Sequence, residues 1–288
     1  KYSSLGKKKS IQFYTTDDLN LFSTLASQSG LAIENAGLFE DVQRESKEKI
    51  KEREGRINAL EKIEKIFFEI VKTLALMAEK KDPTFTKGHI ERTAQLGYLI
   101  VDRLVAKGVV KKGESEHIIY GIALHDIGKY LVDEEILYKT EKLTKDDWEK
   151  LKRHVKDGAD LLFQIGELKD VGDMVLYSHE YVDGKGYYGL KGDEAPIGSR
   201  IIAIIDSFDA MINPRPYRLD PLSLDEAIKE LESKRGIQFE SALVDMFLDI
   251  IKTDETAKKI IQQVIDEIPE TRKDLLKKME EFKKKKPK

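Results

Sequence analysis

Residues 118–129 read IIYGIALHDIGK. Ile118, Ile119, Ile122 and Leu124 recur at helical spacing, so the segment is a helix with an apolar face, and it ends in an imidazole beside a carboxylate. The same spacing returns earlier at Ile90, Ala94, Leu99 and Leu104, and later at Ile201, Ile202, Ile205 and Phe208. Alternating strand-like patterns are scarce. From Asp82-Pro83 to about Ile251 the chain therefore reads as an all-α main domain.

Outward from this core the pattern changes. Lys9 to Tyr14, KSIQFY, is a short candidate strand leading into Thr15-Thr-Asp-Asp18, a helix start with a capping hydroxyl and early acids. The helix that follows carries Leu19, Phe22, Leu25, Ala26, Ile33, Ala36 and Phe39, and strand plus helix reads as the tail end of a domain over residues 1–40. From Glu40 to Lys81 polarity rises, Pro is absent, and Ile50, Ile57, Leu60, Phe67, Val71 and Leu74 fall near heptad a and d positions. This predicts a long linker helix over 41–80 that pairs with a second copy of the chain, although Ser46, Arg53 and Glu64 interrupt the seam and Gly55 weakens it. A single helix lying on its own domain is the alternative. The main domain occupies 81–288, and from Asp254 it continues as two or three amphipathic helices with a solvated tail, KKKKPK.

Composition excludes several function classes. Charged residues are 36% of the 288, but Lys+Arg 50 and Asp+Glu 53 nearly cancel, so no global field draws the chain to DNA or to a membrane surface. Cysteine is absent, which removes disulfides and thiolate metal sites. No 18-residue apolar run is present, and the expectation is a soluble, cytoplasmic protein.

The chemistry begins at His125-Asp126. One imidazole nitrogen and two carboxylate oxygens suit a hard or borderline divalent metal, and a carboxylate can bridge two ions. Four further residues of ligand type sit on the apolar helices. His89 opens one helix, His154 lies in another spanning Trp148 to Leu162, His179 ends a third, and Asp206 interrupts the run IIAIID. An ionised group at that last position must be paired or coordinated. Taken singly, each has a bland alternative: surface histidines, a helix terminus, a buried cap. His117 reads as a surface residue.

Together LHDIGK, the run SHEYVDGKGYYG at 178–189 and AIIDSFDAMINPRPYR at 203–218 resemble the HD-GYP family of HD-superfamily metal-dependent phosphohydrolases. The resemblance covers about Ala75 to Ile250. It implies an HD-type helical bundle, a di- or trinuclear iron or manganese centre, and hydrolysis of cyclic di-GMP to pGpG and further to GMP. By this resemblance His89, His125, Asp126 and Asp206 hold one metal, Asp126 bridges to a second, and His154 and His179 hold that second ion. Two ions about 3.5–4 Å apart can hold a hydroxide and stabilise both oxygens of an in-line displacement. Lys129 corresponds to a phosphate-contacting lysine, and Arg215 and Arg218 to residues that contact the dinucleotide. Tyr187 is placed to stack on or hydrogen-bond the nucleotide, while Glu180 and Asp183 brace the loop.

Three departures from the family pattern follow. Ser178 stands where an additional histidine is expected, Tyr188 where the proline of the GYP signature is expected, and Phe85 where a glutamate serves a third metal. The resemblance therefore implies a dinuclear centre with a weakened second site. The N-terminal run Ile11 to Ala36 resembles the last strand and helix of an α+β GAF sensory domain. Two function classes remain open: a dimeric cyclic di-GMP phosphodiesterase, or a degenerate signalling module that binds nucleotide or a diguanylate cyclase partner of the GGDEF type and hydrolyses little.

Overall fold

A computed structural model describes residues 14–82 and 88–285. Ten α-helices lie within them: α1 Thr16–Lys81, α2 His89–Ala106, α3 Lys112–Leu124, α4 Glu134–Leu137, α5 Lys145–Leu162, α6 Lys169–Leu176, α7 Ile197–Ile212, α8 Leu224–Ser233, α9 Ser241–Thr253 and α10 Glu255–Lys285. Short 3-10 turns occupy Ile127–Leu131, Gly166–Leu168 and Gly192–Glu194. Isolated bridges aside, the described residues contain no strand. The all-α reading of the main domain thus matches the observed architecture.

The chain divides into two compact units, Lys1–Lys65 and Ile66–Lys288, with the boundary inside α1. In the first unit, Thr15 and Asp18 form the expected cap: Asp18 N donates to Thr15 Oγ1 at 3.2 Å and Thr15 N to Asp18 Oδ2 at 2.8 Å. Beyond it the helix runs on past Phe39 and Gly55 without interruption, so the separate sensory-domain helix and linker helix are one element. Leu19, Phe22 and Leu25 are 59%, 55% and 49% exposed, and no strand among the described residues accompanies them. The candidate strand at 9–13 and Phe85 lie outside the described residues, and Tyr14 belongs to no regular element. Surface pairs one turn apart, Asp41–Arg44, Glu45–Lys49 and Glu52–Arg56, support the exposed helix at a few tenths of a kcal/mol each.

In the second unit apolar helix faces meet, on α2 along Leu96, Ile100 and Leu104, while Ile90 joins a second cluster and Leu99 is only partly buried against the core. Leu96 and Ile100 of α2, Ile118 and Ile122 of α3, Ile201 and Ile205 of α7 and Phe247 of α9 form the main core, with the Phe208 ring set edge-on to Phe247 at 5.0 Å. A second cluster joins Val71 and Ala75 of α1 to Tyr120 and Leu124 of α3 and Val171 and Val175 of α6. Here a seam expectation is corrected. Val71 is buried and Phe67 stacks edge-on against Tyr120 at 5.6 Å, so these two heptad positions pack on the chain's own helices. The C-terminal segment is also one helix rather than two or three, continuing through Pro269.

Candidate metal centre

Helix ends and one helix interior bring the site residues together. His89 is the first residue of α2, His125 caps the C-terminus of α3, and Asp126 leads into the 3-10 turn that carries Lys129. That turn lies directly on α5. A Cβ added to Gly128 would sit 1.9 Å from the carbonyl oxygen of His154, so only glycine permits the approach that sets Asp126 beside His154. His179 follows α6 by three residues, and Asp206 projects from α7.

Two groups result. His89, His125, Asp126 and Asp206 can direct one ligand atom each to within 4.8 Å of one another, and so can Asp126, His154 and His179. Asp126 belongs to both. Its Oδ2 lies 3.1 Å from His125 Nε2 and its Oδ1 3.3 Å from His154 Nε2. Asp206 Oδ1 is 3.6 Å from His125 Nε2 and 3.9 Å from His89 Nε2.

The rear nitrogens fix the rings. His125 Nδ1 donates to the carbonyl of Ile122 at 2.8 Å and His154 Nδ1 to that of Leu151 at 2.7 Å, so in the neutral rings Nε2 is the bare, ligand-competent nitrogen. His125 Nε2, His154 Nε2 and Asp126 Oδ1 are buried and have no hydrogen-bond partner among the described residues. Buried donors and acceptors left in that condition are costly unless something else satisfies them. A divalent cation held by imidazole and carboxylate would do so, and this donor set fits one.

His89 is held differently, by a residue that the sequence reading passes over. Asp209, one turn beyond Asp206, places Oδ2 2.7 Å from His89 Nδ1. Arg92, one turn beyond His89, donates from Nε to Asp209 Oδ1 at 2.9 Å, and Asn213 Nδ2 donates to the same oxygen at 3.1 Å. Two i,i+3 pairs, His89/Arg92 on α2 and Asp206/Asp209 on α7, therefore face each other. That spacing is visible in the sequence and is the signal that identifies Asp209 and Arg92.

Arg215 and Arg218 occupy different surroundings. Arg215 is buried, with Nη2 3.6 Å from Asp209 Oδ2. Arg218 donates from Nη2 to the carbonyls of Ala210 and Met211 at the end of α7, the latter at 3.1 Å. Lys129 Nζ lies 2.8 Å from Asp126 Oδ2 and 3.2 Å from Oδ2 of the buried Asp82. The Tyr187 ring stacks on His179 at 5.0 Å, and Lys152 Nζ stands 5.3 Å from its centroid. Ser178 is fully buried, and its hydroxyl donates to the carbonyl of Val175 at 2.8 Å. His117 is half-buried and 3.8 Å from Asp170.

The charges reflect this packing. Burial opposes a charge on His125, but Asp126 and Asp206 outweigh it and raise its pKa to about 10. Burial, with His154 nearby, lowers His179 to about 4. Burial works against ionisation of Asp126 and Asp206 as well, yet Lys129 and His125 hold the first well below the usual carboxylate range, and His125 holds the second there. Against the same burial penalty, Arg92 and His89 keep Asp209 ionised. Burial pushes the Tyr187 phenol up to about 12.

The curated relatives of this chain include a cyclic di-GMP phosphodiesterase of Thermotoga maritima, 35% identical over 66% of this chain and 50% of its own length. They also include the cyclic di-GMP phosphodiesterase response regulator RpfG of Xanthomonas campestris pv. campestris, 32% identical over 71% of this chain and 55% of that protein. A third is 3'3'-cGAMP-specific phosphodiesterase 2 of Vibrio cholerae, 30% identical over 81% of this chain and 40% of its own length. The chain thus spans about half the length of these relatives. Among the described residues no helix is long and apolar enough to cross a membrane. Residues 74–243, which run from the end of α1 into α9 and contain all six residues of the two ligand groups, match the HD domain family, and the chain belongs to that family.

Proposed function

We propose that this chain is a metal-dependent phosphodiesterase that opens cyclic di-GMP to the linear dinucleotide pGpG and, by a second cut, to GMP. The observation that carries the reading is the pair of His/Asp groups joined at Asp126, with buried Nε2 atoms set 3.1 and 3.3 Å from its carboxylate oxygens. On this reading His89, His125, Asp126 and Asp206 would hold one divalent ion, and Asp126, His154 and His179 a second, iron or manganese suiting such nitrogen and oxygen donors. Two bound ions supply Lewis-acid polarisation of phosphoryl oxygens and a water of lowered pKa.

The chain's own groups do the rest. Lys129, whose ammonium burial disfavours but Asp126, Asp82 and Asp206 hold charged, offsets negative charge developing on the phosphoryl group. Tyr187 stays protonated at neutral pH and offers its ring and hydroxyl to the nucleotide beside His179. Arg215 and Arg218 would reach the dinucleotide only by sharing guanidinium groups now turned to Asp209 and to the end of α7. A second copy of the chain would pair through the exposed Ile50, Ile57 and Leu60 of α1.

One observation favours a second reading, a signalling module that binds nucleotide or a diguanylate cyclase and hydrolyses little. The Ser178 hydroxyl faces Val175 and supplies no ligand, leaving the second group with two imidazoles and a shared carboxylate. The test is hydrolysis by protein loaded anaerobically with Fe(II) or Mn(II), with cyclic di-GMP and 3'3'-cGAMP offered separately and products separated by chromatography. Metal-dependent pGpG is the expected result. Faster turnover of 3'3'-cGAMP would reassign the substrate, and no product from folded, loaded protein would leave the second reading standing.

A further inference from the structure

The loop joining α6 to α7 is organised around one buried carboxylate. Glu180 is 7% exposed, and both of its oxygens hold backbone: Oε1 accepts the N–H of Tyr188 at 2.5 Å and Oε2 that of Leu190 at 2.8 Å. The segment so gripped closes on its own base. A Cβ added to Gly186 would lie 2.5 Å from Glu180 Cα and 2.8 Å from the carbonyl oxygen of His179. Gly184 and Gly189, with φ of 81° and 84°, supply the left-handed turns on either side. Tyr187 sits between the packed Gly186 and the gripped Tyr188, and its ring stacks on His179, the immediate neighbour of Glu180.

We infer that Glu180 is a positioning residue: by clamping the N–H groups of Tyr188 and Leu190 it fixes Tyr187 against His179 at the second ligand group. Its kinetic consequence rests on the proposed phosphodiesterase activity, and its structural consequence does not. Position 188 is where the family resemblance expects proline, which has no backbone N–H to donate. In this chain Tyr188 supplies that donor. Its ring is 48% exposed and meets Tyr177 edge-on at 5.7 Å, so the backbone, more than the side chain, couples residue 188 to the clamp. The exchange of proline for tyrosine is accordingly a working part of this loop, and restoring proline removes one arm of the clamp.

Amide hydrogen exchange on the full chain, in the parent, Tyr188→Ala, Tyr188→Pro and Glu180→Gln, reads the clamp directly. Tyr188→Ala keeps protection at the Leu190 amide, whereas Tyr188→Pro and Glu180→Gln lower it about tenfold or more, the scale of a charge-assisted hydrogen bond. With cyclic dinucleotide as substrate, KM rises further in Tyr188→Pro than in Tyr188→Ala while kcat per bound metal changes less than KM. Equal Leu190 exchange in parent and Glu180→Gln, or indistinguishable proline and alanine variants, overturns the inference. If Glu180→Gln does not fold, the Tyr188 pair still decides. If the parent hydrolyses no cyclic dinucleotide, the phosphodiesterase reading fails and the exchange comparison still tests the clamp.

Discussion

The two ligand groups share Asp126 and differ in how their remaining members are held. In the first, His89 is fixed through Asp209 to Arg92, Asn213 and Arg215, and His125 through the carbonyl of Ile122. In the second, His154 has the carbonyl of Leu151, while His179 has no hydrogen bond among the described residues and rests against the Tyr187 ring. Charge separates them too. His125, lying between two carboxylates, is raised to about 10 and must release a proton to bind a cation, whereas His179 at about 4 is already neutral. Both histidines of the first group are backed by a hydrogen bond and one carries a proton to displace, whereas His179 of the second is neutral and, among the described residues, backed only by ring contacts with His154 and Tyr187. A carboxylate common to two groups does not make them equivalent, because partners behind each ligand tune metal affinity alongside the ligand itself.

The largest effect is expected at Asp126, the residue common to both groups. Asp126→Ala removes the one oxygen donor common to both groups, together with the anion that holds Lys129 at 2.8 Å. Metal content should fall in both groups at once, and hydrolysis by at least about 10³-fold, on the scale of deleting a central transition-state stabiliser. Elemental analysis and turnover of the same preparation test this. Retained turnover with metal still bound would show that the groups act independently of Asp126.

Asp209→Asn comes next and acts on the first group alone. The amide keeps the size of the side chain but loses the charge that orients His89 and pairs with Arg92. Loss of such an outer carboxylate costs about 10–100-fold in metal affinity or activity. Titration of the folded variant with Mn(II), followed by electron paramagnetic resonance, should show one class of ion weakened and the other unchanged. Equal weakening of both classes would mean that the groups share their scaffold as well as Asp126.

Much of this arrangement is legible in the sequence, and the reasons are local. Asp206 stands out because a carboxylate inside the apolar run Ile201–Phe208 is expected to face burial, although the structure leaves its side chain 23% exposed, and His125-Asp126 because the pair terminates an apolar helix. Asp209 carries the same i,i+3 signal but is easily read as the polar edge of α7, since nothing in the chain says that α2 lies opposite. The continuity of α1 is obscured by Gly55 and by the rise in polarity at Glu40, which weaken a helix without ending it. Seam positions Phe67 and Val71 carry the heptad of an intermolecular pair, yet Tyr120 offers them a partner within the chain. Periodicity states that a residue is buried and is silent about against what.

The smallest effect is the most informative about the second group. Ser178 stands where the family resemblance expects a histidine, and the structure shows its hydroxyl engaged with the carbonyl of Val175 at the end of α6. Replacing it by histidine would add an imidazole beside His179 and bring the second group to four donors, without touching Asp209, His89 or Asp206. Affinity for the second ion should rise about tenfold, the low end of what even an outer partner contributes, with the first ion unaffected. The opposing force is volume. The site is fully buried, and overpacking costs about 1–3 kcal/mol, so the melting temperature must be followed together with metal stoichiometry. A lower melting temperature with unchanged second-ion affinity would show that Ser178 serves the α6 terminus and that what limits the second group is how His179 is held, which returns the burden of its geometry to Tyr187 and Glu180.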